Sequence, residues 1–274
     1  MTLKPDILDA VSSLKAKGEP FAVATVVRTV SLTAAKAGAK ATILSDGTIS
    51  SGWIGGGCAR AAVIKAAKLA LADGQPRLIS VLPPELLKDL GVEPGQAKEG
   101  IEFARNMCPS QGSMDVFIEP IVPRAELAIF GASPVAVALA ELGCKLGFLT
   151  RVTAPAEDLP GFGASADIAA TELDSNALKH AKCFVVVATQ GRGDEAALMS
   201  AMATAATYVA FVGSRKKGQA LRTALERKGI TAERLADLRV PAGLDLGAVT
   251  PEEIALSILG EITLFQRRGQ RGQA

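Results

Sequence analysis

The chain has 274 residues, enough for two modest domains that each bury a core. Its 30 Lys and Arg residues against 28 Asp and Glu leave a net charge of +2, interspersed along the chain, so no nucleic-acid partner is expected. No apolar run approaches the roughly 18 residues that span a bilayer, and the first residues lack the apolar core of a signal peptide, which together predict a cytoplasmic protein with no membrane partner.

Hydrophobic periodicity orders the first half. Residues 5–17 read as a helix and 21–29 and 41–44 as strands, with Asp46-Gly47 a hairpin turn before a strand over 48–53. There the chain runs into Gly55, Gly56 and Gly57, then Cys58 at the start of a predicted helix over 59–72. Three adjacent glycines give up backbone entropy that ordinary packing does not ask for, so their expected use is to bring main-chain N–H groups close to a ligand. A thiol in the first helical turn sits at the positive end of the macrodipole, with Arg60 near, and both favour the thiolate. The competing reading is a tight strand-to-helix corner with a small buried thiol. An irregular connection over 83–111 leads to a strand over 114–121, and Pro120 and Pro123 mark a boundary between domains 1–122 and 123–274.

Beyond the boundary, strands over 127–130, 184–188 and 208–212 alternate with helices over 135–146, 195–205 and 217–228, and a last helix covers 251–265. That alternation predicts an α/β fold whose second domain is a Rossmann-like, doubly wound parallel sheet. Gly131-Ala132-Ser133-Pro134-Val135-Ala136 stands where a dinucleotide fingerprint would be, but Ser133 replaces the glycine that admits a pyrophosphate. No carboxylate ends the second strand either, since the first acids after Arg151 are Glu157 and Asp158. Tight NAD binding is therefore not expected, while Gly131 and Ser133 remain candidates for a phosphate at a helix N-terminus. Gly213, Ser214 and Arg215 are candidates for phosphate contact, against a basic helix start that stays solvated. The segment from Thr189 to Asp194 is either a crevice loop or a polar turn that caps the next helix through Asp194. The cysteines at 58, 108, 144 and 183 form no C-x-x-C pair, and with one histidine, His180, they argue against a structural zinc. Cys144 and Cys183 read as packing residues and His180 as a surface helix residue.

Three blocks taken together resemble the XdhC/CoxI family of maturation factors for molybdenum hydroxylases such as xanthine dehydrogenase and carbon monoxide dehydrogenase. They are Gly55-Gly56-Gly57-Cys58, Cys108-Pro109-Ser110-Gln111-Gly112 and Pro241-Ala242-Gly243-Leu244-Asp245-Leu246-Gly247-Ala248-Val249-Thr250-Pro251-Glu252-Glu253-Ile254-Ala255. The resemblance implies an XdhC-type α/β domain ahead of the Rossmann-like one. It also implies a transiently held molybdenum cofactor, molybdopterin or its dinucleotide form. Its phosphate would face Gly55, Gly56, Gly57, Lys40 and Arg215, and its molybdenum and sulfur end would face Cys58 and Cys108, with Cys58 the metal-proximal thiolate. Members of the family shield the cofactor, assist its sulfuration by a cysteine desulfurase, and insert it into the apo-subunit of the hydroxylase, with no turnover of their own. The glycine and cysteine blocks look more like the CoxI branch, which points to a carbon monoxide dehydrogenase-like client. Two other readings compete: an NAD(P)-dependent oxidoreductase using the Rossmann-like domain, and a scaffold that recruits hydroxylase and desulfurase. With 49% hydrophobic and 21% charged residues, a homodimer that covers apolar surface is expected.

Overall fold

The computed structural model describes residues 7–31, 33–108, 111–173, 182–206 and 208–267, with Cys58 placed by its backbone alone. Two units, Met1–Pro123 and Arg124–Ala274, carry separate cores. His180, Pro109 and Ser110 lie outside the described residues.

The first unit runs α1 (Ile7–Lys17), β1 (Phe21–Val30), β2 (Lys40–Leu44), β3 (Ile49–Gly52), α2 (Gly57–Asp73), β4 (Arg77–Leu82), α3 (Pro84–Asp89), β5 (Ala97–Lys98), β6 (Ile101–Arg105) and β7 (Ser113–Ile121). Its strands form one mixed sheet in the order β3-β2-β1-β7-β4-β6-β5. The β2–β3 turn forms as its sequence dictates. Asp46 Oδ1 accepts the Thr48 N–H at 2.7 Å, and Gly47 takes a φ of 93°. Helix α2 lies on the sheet through Val63, Ala66, Ala67 and Ala70, spaced i, i+3, i+4, i+7, and ends at Gly74 with φ 73°. Within this unit the periodicity misses β4 and, inside the stretch read as an irregular connection, also α3, β5 and β6. Ile79, Ser80, Val81 and Leu82 are all buried, because β4 lies between β7 and β6 with both faces covered, so no polar alternation marks it. Pro120 lies inside β7, two residues past the last pair with β4, where a missing N–H breaks no bond of that ladder.

The second unit runs β8 (Glu126–Phe130), α4 (Pro134–Lys145), β9 (Leu149–Thr153), a 3-10 helix (Leu159–Ser165), β10 (Ile168–Ala170), β11 (Cys183–Val187), α5 (Asp194–Met202), β12 (Tyr208–Phe211), α6 (Arg215–Arg227), α7 (Ala232–Ala236), β13 (Leu238–Arg239) and α8 (Pro251–Gln266). Every pair in the sheet β10-β9-β8-β11-β12-β13 is parallel. Counted within the unit the order is 3-2-1-4-5-6, the doubly wound Rossmann order, with its reversal between β8 and β11. Alternate residues serve opposite faces. Leu127, Ile129, Phe184 and Val186 enter a core with α4 and α8, while Ala128, Phe130, Val185 and Val187 enter another with α5 and α6. The short elements β10, α7 and β13, of 3, 5 and 2 residues, fall below the window in which periodicity shows.

Buried polar groups here are held by named partners. Glu126 is 2% exposed and pairs with Arg151, and burial, then Glu126, pushes the neighbouring Cys183 thiol up to about 12, so that it stays protonated. Asp167 accepts from the Thr150 N–H at 2.9 Å and from Arg124 Nη2 at 3.1 Å, which hold its carboxyl below the usual range. Its contribution to stability is therefore complete above the unfolded carboxyl pKa, about 3.9, and disappears as pH falls through the lower folded value. Urea midpoints measured from pH 6 to pH 2 should drop below about pH 4, and Asp167→Asn should flatten that drop. Among the described residues, no helix is long and apolar enough to cross a membrane.

Candidate functional site

Where β3 ends, the chain passes so close to β2 that a Cβ at Gly52 would stand 2.1 Å from the Lys40 carbonyl oxygen. It then anchors on Ile54, fully buried, and turns through Gly55 at φ 109° into α2. Gly56 is the N-cap and brings no side chain to the first turn. Elsewhere Ser133, Ser214, Thr231 and Thr250 each cap their helix through a hydroxyl. The N-cap of the 17-residue α2 therefore gives its first amides no side-chain acceptor, a start of the kind that suits an anion. A Cβ at Gly56 or Gly57 would meet nothing within 4 Å, so packing does not require these two glycines. Side chains there would instead fill the space in front of the helix.

Across that space stands the turn after β6, clamped by Asn106. Its Nδ2 donates to the Gly112 carbonyl at 2.6 Å, and its Oδ1 accepts the Cys108 N–H at 3.0 Å. The result is a cleft of about 330 Å³ lined by Gly55, Gly56, Gly57, Met107, Cys108 and Met114, among others, with no acidic side chain in its lining. The three glycines and Cys108 thus share one site. Cys108 is exposed, Met107 is exposed and Met114 is buried, which gives the cleft three sulfur-bearing walls. Cys58 is the second residue of α2, and its side chain lies outside the described atoms. Lys40 is not part of the lining, and its Nζ donates to Thr25 Oγ1 at 2.8 Å. Sequence reasoning misses Asn106 and the two methionines. The signal for Asn106 is an asparagine two residues before a cysteine, an Asx-turn spacing.

In the second unit the predicted residues fall in two separate hollows. Gly213 and Arg215 line a cleft of about 640 Å³ with the run from Val240 to Ala248. That run is held by Glu261, whose Oε2 accepts the Gly243 N–H at 3.0 Å and the Tyr208 hydroxyl at 2.9 Å, while Oε1 faces Arg239 Nη1 at 3.1 Å. Burial, reinforced by Glu261, raises the Tyr208 phenol well above its ordinary range. Ser214 spends its hydroxyl as the α6 cap, accepting the Lys217 N–H at 3.3 Å. Gly131 and Ser133 instead border a recess of about 50 Å³ at the β8/β11 reversal, and Ser133 Oγ caps α4 by accepting the Ala136 N–H at 3.2 Å. The reading of Asp194 as a helix cap needs correcting. Gly193 is the N-cap of α5, and the buried Asp194 carboxylate accepts from Thr189 Oγ1 and the Gly191 N–H and pairs with Lys217. Burial alone would raise its pKa, but Lys217 and these donors outweigh that and lower it.

Residues 14–81 match the XdhC and CoxI family, and residues 127–262 match the XdhC Rossmann domain. The chain belongs to the XdhC/CoxI family. Among curated relatives of this family member, the uncharacterized protein YqeB of Escherichia coli K12 is 29% identical over 282 residues, covering 97% of this chain and 47% of YqeB. A Bacillus subtilis protein, named as a probable subunit of xanthine dehydrogenase, is 29% identical over 161 residues, 56% of this chain and 47% of that protein. The chain thus spans about half the length of the curated relatives it matches. A solved structure described as a xanthine dehydrogenase from Bacillus halodurans is 18% identical, covers 98% of each chain and has a TM-score of 0.44. In this XdhC/CoxI chain the glycine triad and Cys58 fall inside the first matched segment and the 241–255 run inside the second, whereas Asn106 and Cys108 lie outside both.

Proposed function

We propose that this chain binds the molybdenum cofactor, as molybdopterin or its dinucleotide form, and delivers it to the apo-subunit of a molybdenum hydroxylase of the xanthine dehydrogenase or carbon monoxide dehydrogenase kind. The observation that carries this reading is the cleft that joins the uncapped, glycine-lined start of α2 to Cys108. Its donor set suits the group. Main-chain N–H groups of the Gly55–Gly57 turn would hold a phosphate, the Cys108 thiol would face the soft end, and Met107 and Met114 would keep water from it; Cys58, next in the chain after Gly57, is the second thiol proposed for that end. When bound, the cofactor supplies a dithiolene-held molybdenum centre. Everything else asked of the chain is binding, shielding and release, in the cytoplasm, with a cysteine desulfurase as second partner and neither nucleic acid nor membrane. The name of the Bacillus subtilis relative supports a hydroxylase as client. The decisive experiment is metal and pterin analysis of protein produced together with the cofactor-synthesis enzymes. Preparations free of both would overturn the reading.

The oxidoreductase alternative makes a different demand. It requires micromolar binding of NAD or NADP, whereas we expect dissociation constants above about 1 mM by calorimetry, corresponding to less than roughly 4 kcal/mol. Pro134 brings no N–H to the first turn of α4 and Ser133 already occupies that of Ala136, so few donors remain for a pyrophosphate. Self-association as a symmetric dimer is also expected, and a monomer mass by light scattering at micromolar concentration would refute it.

A further inference from the structure

The reversal point of a doubly wound sheet is where such folds bind ligands, and in this chain a salt bridge occupies it. Arg192, from the loop after β11, reaches across to Asp158, which precedes the 3-10 helix, with Nη1 2.9 Å from Oδ2. Both side chains border the 50 Å³ recess beside Gly131 and Ser133. The pairing is poorly satisfied. Asp158 Oδ2 is buried and accepts no hydrogen bond despite the guanidinium next to it. An anion so held is readily exchanged for one that meets the guanidinium fork squarely, and a phosphate does so with two parallel N–H···O bonds.

Gly131, Pro155, Thr189 and Arg192 also line a second, wider hollow of about 460 Å³, which extends from the recess toward the end of β10 and α5. That volume falls within the range of small-ligand sites. Glu172, exposed just after β10, is a carboxylate in its lining, of the type that accepts from ribose hydroxyls. A recess of phosphate size that opens into a hollow of nucleoside size describes one phosphate and one nucleoside. It does not describe two phosphates in a row, for which the start of α4 has too few free amides.

We propose that this crevice binds a nucleoside 5′-monophosphate group, whose phosphate displaces the Asp158 carboxylate from Arg192 while its ribose turns to Glu172. Asp158 is then a built-in competitor that keeps Arg192 in place until the nucleotide arrives. The site is built from residues of the second unit alone and does not depend on the molybdenum cofactor reading.

Calorimetry on the full chain with AMP, CMP, GMP, NAD and inorganic phosphate tests it, with melting curves to confirm that each variant folds. At least one monophosphate should bind below about 1 mM. Arg192→Ala should weaken that binding by about tenfold or more, and Asp158→Asn, which removes the competitor, should tighten it by about threefold to tenfold. Glu172→Gln should weaken the nucleotide but leave inorganic phosphate unchanged. The proposal fails if no monophosphate binds the parent protein or Asp158→Asn, if NAD binds tighter than every monophosphate, or if Asp158→Asn weakens binding as Arg192→Ala does. Should Asp158→Asn lower the melting point, the response of the exposed Arg192→Ala decides alone. Because these ligands carry no molybdenum, the result is independent of metal content.

Discussion

Protein carrying Cys58→Ser is expected to fold normally and to lose bound molybdenum by roughly tenfold or more relative to the parent when both are produced with the cofactor-synthesis enzymes. Cys58 is the second residue of α2, in a first turn that no side chain caps, where the macrodipole favours an anion. A thiolate is the form of cysteine that binds a soft metal, whereas a serine hydroxyl is a poor ligand for one. Serine is well tolerated at a helix start, so stability should be little changed. Cys183→Ser is the matched control. That thiol is buried in the second unit and held protonated, so its replacement should leave metal content alone. Elemental analysis of the purified proteins reads the result, and equal molybdenum in Cys58→Ser and parent would remove the thiol from the site.

A large loss of stability is expected from Gly131→Ala. Gly131 takes φ 99°, and a Cβ there would lie 2.6 Å from Thr189 Cα and 2.7 Å from the Ala188 carbonyl oxygen. Both are main-chain atoms of the neighbouring strand end, so no side-chain rotation relieves the clash. Strain at positive φ and forced separation of the two strand ends together should cost about 2–6 kcal/mol. For a unit of this size that lowers the melting temperature by roughly 5–20 °C. Gly147→Ala isolates the backbone component, because φ there is 85° but a Cβ would meet nothing within 4 Å, and its cost should be the smaller by far. If the two variants melt together, the close approach at the reversal point is not what Gly131 is for.

How much of this is legible in the sequence depends on the distance over which each feature is encoded. The β2–β3 turn, α2 and the β/α alternation of the second unit are local patterns, and all appear where the periodicity puts them. Strand β4 is not local. Its burial on both faces comes from β6 and β7, so its own residues carry no alternation to read. The same holds for the sites. Three glycines before a cysteine announce a ligand-facing turn, but only folding shows that Asn106 brings Cys108 to the same cleft from fifty residues away. Asp158 escapes a sequence reading because it lies beyond the end of the second strand. The chain bends it back into the crevice through a turn that closes with the Asp158 N–H donating to the Pro155 carbonyl at 3.0 Å. Gly213 and Arg215 share with Gly131 and Ser133 a position just after a strand, which makes all four phosphate candidates, yet strand order sends the two pairs to different hollows.

The chain contains one tryptophan and one tyrosine, and they fall in different units. Trp53 is 51% exposed and two residues from Gly55, whereas Tyr208 is fully buried against Glu261 behind the 240–248 run. Optical signals of the unmodified protein are therefore already separated by region. Indole emission, open to quenching by iodide, reports events at the start of α2, and the near-ultraviolet dichroism of the phenol reports the integrity of the parallel sheet. Two titrations on one unlabelled sample can then follow the halves of the molecule independently.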